Sequence, residues 1–151
     1  DASIFIETII NDLDILAQKS GTELIIKEQK ALTWFCDPFW MKEVIENILK
    51  NCIEHCPNGK VELKYTEENG MNHIVIVDNG TGFSDGRETR VFERYSFSDR
   101  TKEGSSGLGL SIAQQAMKLH FGTITASNMP DQGTCFRISF PQLDSKNIYR
   151  I

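Results

Sequence analysis

The stretch Ile-Val-Ile-Val-Asp-Asn-Gly-Thr-Gly-Phe, residues 74–83, places an acid directly after four apolar residues. This unbroken apolar run predicts a central strand that is covered on both faces. Asp78 is then partly buried at the strand end, where its charge needs a partner. Gly80 and Gly82 allow a flat ring to approach the backbone closely, and Thr81 offers a hydroxyl. The segment suits an adenine amine, although Asp-Asn-Gly is also an ordinary turn sequence.

A second glycine cluster opens an apolar helix further along the chain. Its candidate phosphate-binding residues are Gly107, Leu108, Gly109 and Leu110. A helix N-terminus carries unsatisfied N–H groups and a positive partial charge, so backbone amides there can bind phosphates. Adenine at one loop and phosphates at the other indicate ATP. Neither loop is a Walker sequence or a dinucleotide fingerprint.

The remaining periodicities predict one domain over residues 1–151 of the α+β class. Asp37 followed by Pro38 is a favourable helix start, with Asp at the N-cap and Pro at the first helical position. We expect a two-layer sandwich, a mixed β-sheet with about three helices on one face. The predicted helices cover about 3–18, 38–56 and 106–120, and the predicted strands cover 23–27, 31–35, 60–66, 74–77, 123–127 and 134–140. In the last helix, the residues predicted to be buried are Leu108, Ile112, Ala116 and Leu119.

Three polar residues border the apolar face of the helix predicted over 38–56. At about 100° per residue, Asn51 and His55 share one border, and Asn47 lies one turn earlier. An amide oxygen of Asn51 can hold Mg²⁺, whose coordination is completed by water and substrate phosphates. Asn47 is a second nucleotide candidate, but a solvated helix flank explains it equally well. His55 either donates to a phosphate or packs at the helix end.

Residues 84–106 are polar and lack periodicity, apart from a short apolar anchor at Val91 and Phe92. A stretch of this length between two glycine loops predicts a lid that closes over a ligand. Arg94 and Arg100 are candidates for contact with the γ-phosphate on closure. Solvated surface arginines are the alternative.

Composition narrows the class of protein. The formal net charge is −5, and no cluster of Lys and Arg suggests nucleic-acid binding. An acidic protein would take ATP together with a divalent cation. No segment is apolar enough for a membrane span. The four cysteines lie in apolar runs, as reduced thiols of a cytosolic core do, and the group Cys52, His55 and Cys56 lacks the usual spacings of a zinc site.

Five motifs, in order, resemble those of the ATP-binding catalytic domain of sensor histidine kinases. The superfamily (GHKL) also contains type II topoisomerases, heat-shock chaperones and mismatch-repair ATPases. The matching segments are 46–51, similar to the N box; 78–83, the first glycine box; 91–95, the F box; 104–110, the second glycine box; and 133–136, the last Gly-Thr motif.

The resemblance implies a Bergerat fold and a reaction. Asp78 would bind the adenine amine, Asn51 the Mg²⁺ ion, the 107–110 loop the phosphates, and Thr134 of the last motif the nucleotide. The γ-phosphoryl group would pass to a histidine and then to an aspartate on a response regulator receiver domain. None of the three histidines is followed by Glu, so the receiving histidine belongs to a separate dimerisation domain, and the chain alone should not phosphorylate itself.

The resemblance also implies an oligomeric state and a cellular location. We expect the isolated domain to be a monomer, its parent kinase a homodimer anchored in the cell membrane, and this domain to be cytoplasmic. The chain departs from the family pattern at Glu54, where a Lys or Arg is frequent, and at Phe97, where a phosphate-contacting Arg is frequent. A degenerate nucleotide-binding scaffold and a GHKL ATPase are therefore alternatives, although Asn47 replaces the Glu that activates water in such ATPases.

Overall fold

The computed structural model describes residues 1–28, 30–93 and 109–143, which form a five-stranded sheet and three α-helices. The strand order is β1-β2-β3-β5-β4, with β1 parallel to β2 and the other pairs antiparallel. This mixed sheet confirms the predicted α+β class. The helices are α1 (Ala2–Ser20), α2 (Pro38–His55) and α3 (Gly109–Leu119), and the strands are β1 (Glu23–Glu28), β2 (Lys60–Glu68), β3 (Met71–Asp78), β4 (Thr123–Asn128) and β5 (Thr134–Pro141).

The helices pack on one face of the sheet. Alternate side chains of the central strands, such as Ile74 and Ile76 of β3, share a core cluster with buried residues of all three helices. The prediction that β3 is central is confirmed. Its other face is only partly covered: Val75 is buried between Lys64 and Arg137, its register partners, while His73 and Val77 are half-buried. No described helix is long and apolar enough to cross a membrane.

The start of α2 follows directly from its sequence. The Asp37 side chain accepts a hydrogen bond of 3.1 Å from the backbone N–H of Trp40, and Pro38 occupies the first turn. The predicted apolar face is buried, and α2 ends at His55. This helix therefore presents the border that carries Asn51 and His55 at a fixed position beside the sheet.

The strand predicted over 31–35 is wrong. This segment is irregular and is held by packing and by isolated hydrogen bonds. The carbonyl of Leu32 accepts from Ala2 N at 2.9 Å, and that of Thr33 accepts from the Gln142 side chain at 3.3 Å. The Trp34 ring packs edge-on against Tyr65, with centroids 5.5 Å apart. Apolar alternation here reflects tertiary packing, because the segment's backbone bonds do not form a ladder.

The predicted buried face of the last helix is also wrong. Ile112 is 39% exposed and Leu119 is 71% exposed. The buried residues of α3 are Ala113, Ala116 and Met117, of which only Ala116 was expected. Two of these side chains are small, which lets α3 approach α2 closely. Leu108 lies outside the described residues.

Candidate nucleotide-binding site

Asp78 ends β3 and is buried, with 2% of its surface exposed. Its Oδ1 accepts hydrogen bonds from Gly80 N at 2.9 Å and Thr134 N at 3.3 Å, and its Oδ2 accepts a short one from the Thr134 hydroxyl. The bond to Gly80 is that of an Asx turn. The turn interpretation and the buried acid are therefore both correct, and the protein itself supplies the partners that the buried charge requires.

Cys52 lies next to this acid, which sequence reasoning did not anticipate. Burial raises the pKa of the Cys52 thiol well above its ordinary value, and the negative charge of Asp78 raises it further. The thiol therefore stays protonated at neutral pH. A neutral group of α2 thus packs against the Asp78 side chain.

Two glycines leave no space for side chains around Asp78. A Cβ on Gly80 would overlap the carbonyl oxygen of His55, and one on Gly133 would overlap the backbone of Asp78. Gly133 also has a φ of +97°, which disfavours other residues. The close approach of these three backbone segments explains why glycine occupies both positions.

The end of the first glycine loop is clamped from β4. The Asn128 side chain accepts from Phe83 N at 2.7 Å and donates to Phe83 O at 3.0 Å. The Phe83 ring packs edge-on against Phe136, with centroids 5.9 Å apart. Since Thr134 pairs with Asn128 across the β4–β5 hairpin, one hairpin holds both ends of the loop between Asp78 and Phe83.

A cavity of about 390 Å³ lies beside this loop. Six of the predicted site residues meet there, on α2, the first glycine loop, the start of α3 and β5. The lining residues are Asn51, His55, Thr81, Gly82, Phe83, Ser84, Arg87, Arg90, Val91, Leu110 and Thr134.

Other predicted residues are placed differently. Asp78 and Gly80 support the loop directly before Thr81 and are not among the lining residues. Asn47 also stays away from the lining: its side-chain oxygen lies 2.8 Å from where a Cβ of Gly109 would be, so it packs against the start of α3. The predicted residues Arg94, Arg100, Gly107 and Leu108 lie outside the described residues.

Sequence reasoning missed the two arginines that line the cavity, Arg87 and Arg90. Arg87 begins a short 3₁₀ turn, Arg87–Thr89, which follows the first glycine loop, and Arg90 comes directly after this turn. The signal that could have revealed them is their spacing of three residues immediately after that loop. They bring positive charge to a cavity in a chain with a net charge of −5.

The described residues contain no group of three or more His, Cys, Asp or Glu side chains that could hold a metal ion. The donor that the cavity offers to a hard cation is the amide oxygen of Asn51. Mg²⁺ commonly uses one or two protein oxygens and completes its shell with water and phosphate. The site therefore fits a metal that arrives with its nucleotide.

Residues 36–144 match the sequence model of the family described as histidine kinase-, DNA gyrase B- and HSP90-like ATPases. The chain belongs to this family. The match confirms the resemblance drawn from the five motifs and includes every described residue of the cavity lining.

Curated relatives within the family are sensor kinases. Sensor histidine kinase MtrB of Mycobacterium leprae is 27% identical over 145 residues, covering 93% of this chain and 26% of its own. Sensor histidine kinase YvrG of Bacillus subtilis is 31% identical over 142 residues, covering 90% and 24%. The chain thus spans about a quarter of the length of these two relatives.

Solved structures of the family share the fold. The catalytic domain of histidine kinase ThkA has a TM-score of 0.80 at 21% identity, covering 91% of this chain and 90% of that one. Full-length ShkA, in complex with AMPPNP, has a TM-score of 0.83 at 21% identity, covering 93% and 30%. At 21% sequence identity, the likeness to these two structures shows that the fold is shared.

Proposed function

We propose that this chain binds ATP with Mg²⁺ in the cavity and donates the γ-phosphoryl group to a histidine on a separate helical domain. The observation that carries the proposal is the buried carboxylate of Asp78 at the end of β3, held by Thr134 beside a cavity of about 390 Å³. Membership of an ATPase family supports the choice of nucleotide.

The base would bind at Thr134, a lining residue whose hydroxyl binds the Asp78 carboxylate directly behind the cavity wall. The carboxylate accepts three hydrogen bonds from the protein, and an ionised carboxylate has about four acceptor sites. The remaining acceptor position faces the Cys52 thiol, a weak donor, and the exocyclic amine of adenine would take this position as the stronger donor. Thr134 lines the cavity, and Thr81 and Gly82 form a wall against which the flat ring would lie.

The phosphate end is formed by α2 and the start of α3. Asn51 would hold Mg²⁺ through its amide oxygen, and the ion would neutralise phosphate charge when bound. His55 lines the same cavity and would donate a hydrogen bond to a phosphate oxygen. Gly109 and Leu110, together with Gly107 and Leu108, would surround the phosphates; Arg94 and Arg100 remain candidates for the γ-phosphate.

ATP hydrolysis as the main activity is not favoured. A water-activating base would be needed one turn before Asn51, and that position is Asn47, an amide that packs against Gly109. The domain's contribution is positioning and charge neutralisation, which account for most of the catalysis of phosphoryl transfer.

We further propose the partners of a two-component kinase: a dimerisation domain that carries the receiving histidine, and a response regulator. ThkA, a neighbour with a TM-score of 0.77 over 92% of this chain, forms a complex with response regulator TrrA. The cytoplasmic position of this domain, the monomeric isolated domain, and the dimeric, membrane-anchored parent remain predictions of the same scheme.

The test is transfer of radioactive γ-phosphate from ATP to a separately supplied dimerisation domain of the parent kinase. We expect acid-labile label on that domain, none when its receiving histidine is replaced by alanine, and none on this chain alone. Tight binding of Mg-ATP without transfer would indicate a scaffold instead, and release of phosphate without transfer would indicate an ATPase.

A further inference from the structure

The 3₁₀ turn Arg87–Thr89 is closed by local backbone hydrogen bonds and is anchored to the core by the residues that follow it. Arg87 N donates to Ser84 O at 3.0 Å, and Arg90 N donates to Arg87 O at 2.9 Å. The next residue, Val91, is 8% exposed, and the Phe92 ring packs edge-on against Phe136 at 6.3 Å. The backbone that carries the two arginines is therefore anchored to the core.

Arg87 and Arg90 lie on the same side of this turn. Residues three apart in a 3₁₀ turn are eclipsed, and both side chains line the cavity. A guanidinium presents a planar set of donors that matches phosphate in a bidentate manner, and it stays charged at every physiological pH. Two guanidinium groups so placed form an anion-binding wall.

We propose that Arg87 and Arg90 bind the polyphosphate of ATP, an inference that rests on the proposed function. Asn51 and His55, the α2 residues that line the cavity, carry no formal charge at pH 7. Among the described lining residues, the formal positive charges at pH 7 are those of Arg87 and Arg90. These two arginines therefore supply, from the segment after the first glycine loop, the positive charge that α2 does not bring to the cavity.

Glu93 competes with the phosphates for Arg90. Its Oε2 lies 3.2 Å from Arg90 Nε, and the two side chains are 58% and 54% exposed. An exposed pair of this kind is weak and is screened by salt. A polyphosphate, with several negative charges, can therefore draw the guanidinium away from Glu93 when it binds.

Calorimetric titration of the whole chain with ATP and with adenosine, both in Mg²⁺, tests the inference. We expect the double variant Arg87→Gln/Arg90→Gln to raise the Kd for ATP about 10-fold or more, because two charge-assisted contacts are lost, and to leave the Kd for adenosine unchanged. The dependence of ATP affinity on salt should also weaken. Glu93→Gln should tighten ATP binding, since it removes the competitor.

Arg137→Gln is the matched control. Arg137 is exposed on β5, paired in register with Val75 on the sheet face away from the helices, so its loss removes one positive charge, half the change of the double variant, without touching the cavity. An unchanged Kd for ATP in the double variant, or an equal loss in Arg137→Gln, would overturn the inference. So would an equal loss of adenosine binding. Failure of the unmodified chain to bind ATP would instead reject the proposed function.

Discussion

Replacing Asp78 by asparagine probes the base contact while keeping the size of the side chain. Asp78 Oδ1 accepts from two backbone N–H groups, those of Gly80 and Thr134, and Oδ2 accepts from the Thr134 hydroxyl. An asparagine can retain all three bonds, because its oxygen can accept from the backbone while its NH₂ group donates to the hydroxyl oxygen. The fold should survive, and the loss should fall on the ligand.

The magnitude follows from what adenine would meet. A hydrogen bond to a charged group contributes about 1.5–3 kcal/mol, and a buried donor left without an acceptor costs about 1–3 kcal/mol. Asp78→Asn loses the first and incurs the second, because its NH₂ group faces the amine of the base. At a factor of ten per about 1.4 kcal/mol, the Kd for ATP should rise by about 60-fold or more, which removes measurable binding.

Calorimetry with Mg-ATP measures this change directly, and thermal unfolding checks that the variant is folded. Asp131→Asn is the control, since Asp131 is exposed in the β4–β5 turn and its replacement removes the same unit of charge. Unchanged ATP affinity in a folded Asp78→Asn protein would refute the assignment of the base contact.

Three further predictions concern other residues of the site. Asn51→Ala should weaken Mg-ATP binding far more than adenosine binding in a titration of both ligands, because the amide oxygen would coordinate the Mg²⁺ ion. Equal losses of the two affinities would show that Asn51 has only a structural role. Asn128→Ala removes both bonds to the Phe83 backbone and should weaken adenosine and ATP binding equally. The expected loss is about 30-fold if these two hydrogen bonds, of about 1 kcal/mol each, hold the loop in its binding conformation. Gln142→Ala, which removes the bond to Thr33, should leave both affinities unchanged, and an unaltered adenosine Kd in Asn128→Ala would show that the clamp does not act on the ligand. Burial raises the pKa of Cys52 above its ordinary value of 9.0, so the unfolded chain loses this thiol proton at a lower pH than the folded protein does. The thiol's contribution to stability is therefore complete below pH 9 and is lost as the pH rises toward the folded pKa. Denaturant unfolding between pH 8 and 10.5 should show a smaller loss of stability for Cys52→Ala than for the native protein, and parallel pH profiles of the two proteins would contradict the pKa shift.

The parts of the fold that the sequence predicted are those determined locally. Asp37 and Pro38 define the start of α2 because capping involves only neighbouring residues. The apolar run before Asp78 identifies β3 because length and composition separate a buried strand from its flanks. The glycine loops could be connected to ATP because their order along the chain matches a family.

The errors arose where partners distant in sequence decide the outcome. The segment 31–35 alternates like a strand, yet Trp34 packs on Tyr65 and the carbonyl of Thr33 binds Gln142. On α3, periodicity favoured Ile112, but the close approach to α2 selects Ala113 for burial. Such contacts depend on the spacing between elements, which a single sequence does not report.

The site residues also divide into those that local sequence motifs identify and those whose position depends on distant packing. Asn51, Thr81 and Thr134 were identified from motifs and meet in one cavity. Arg87 and Arg90 were not identified. Their spacing of three residues after the first glycine loop was the available signal, but the cavity that they face depends on how Val91 and Phe92 pack on the core.

A crystal structure of this chain with Mg²⁺ and a non-hydrolysable ATP analogue would show whether Asp78 binds the base. We expect the base amine within about 3 Å of an Asp78 carboxylate oxygen, with the phosphates between Asn51 and the start of α3. A nucleotide seated elsewhere, or a base in the cavity that does not contact Asp78, would contradict this expectation.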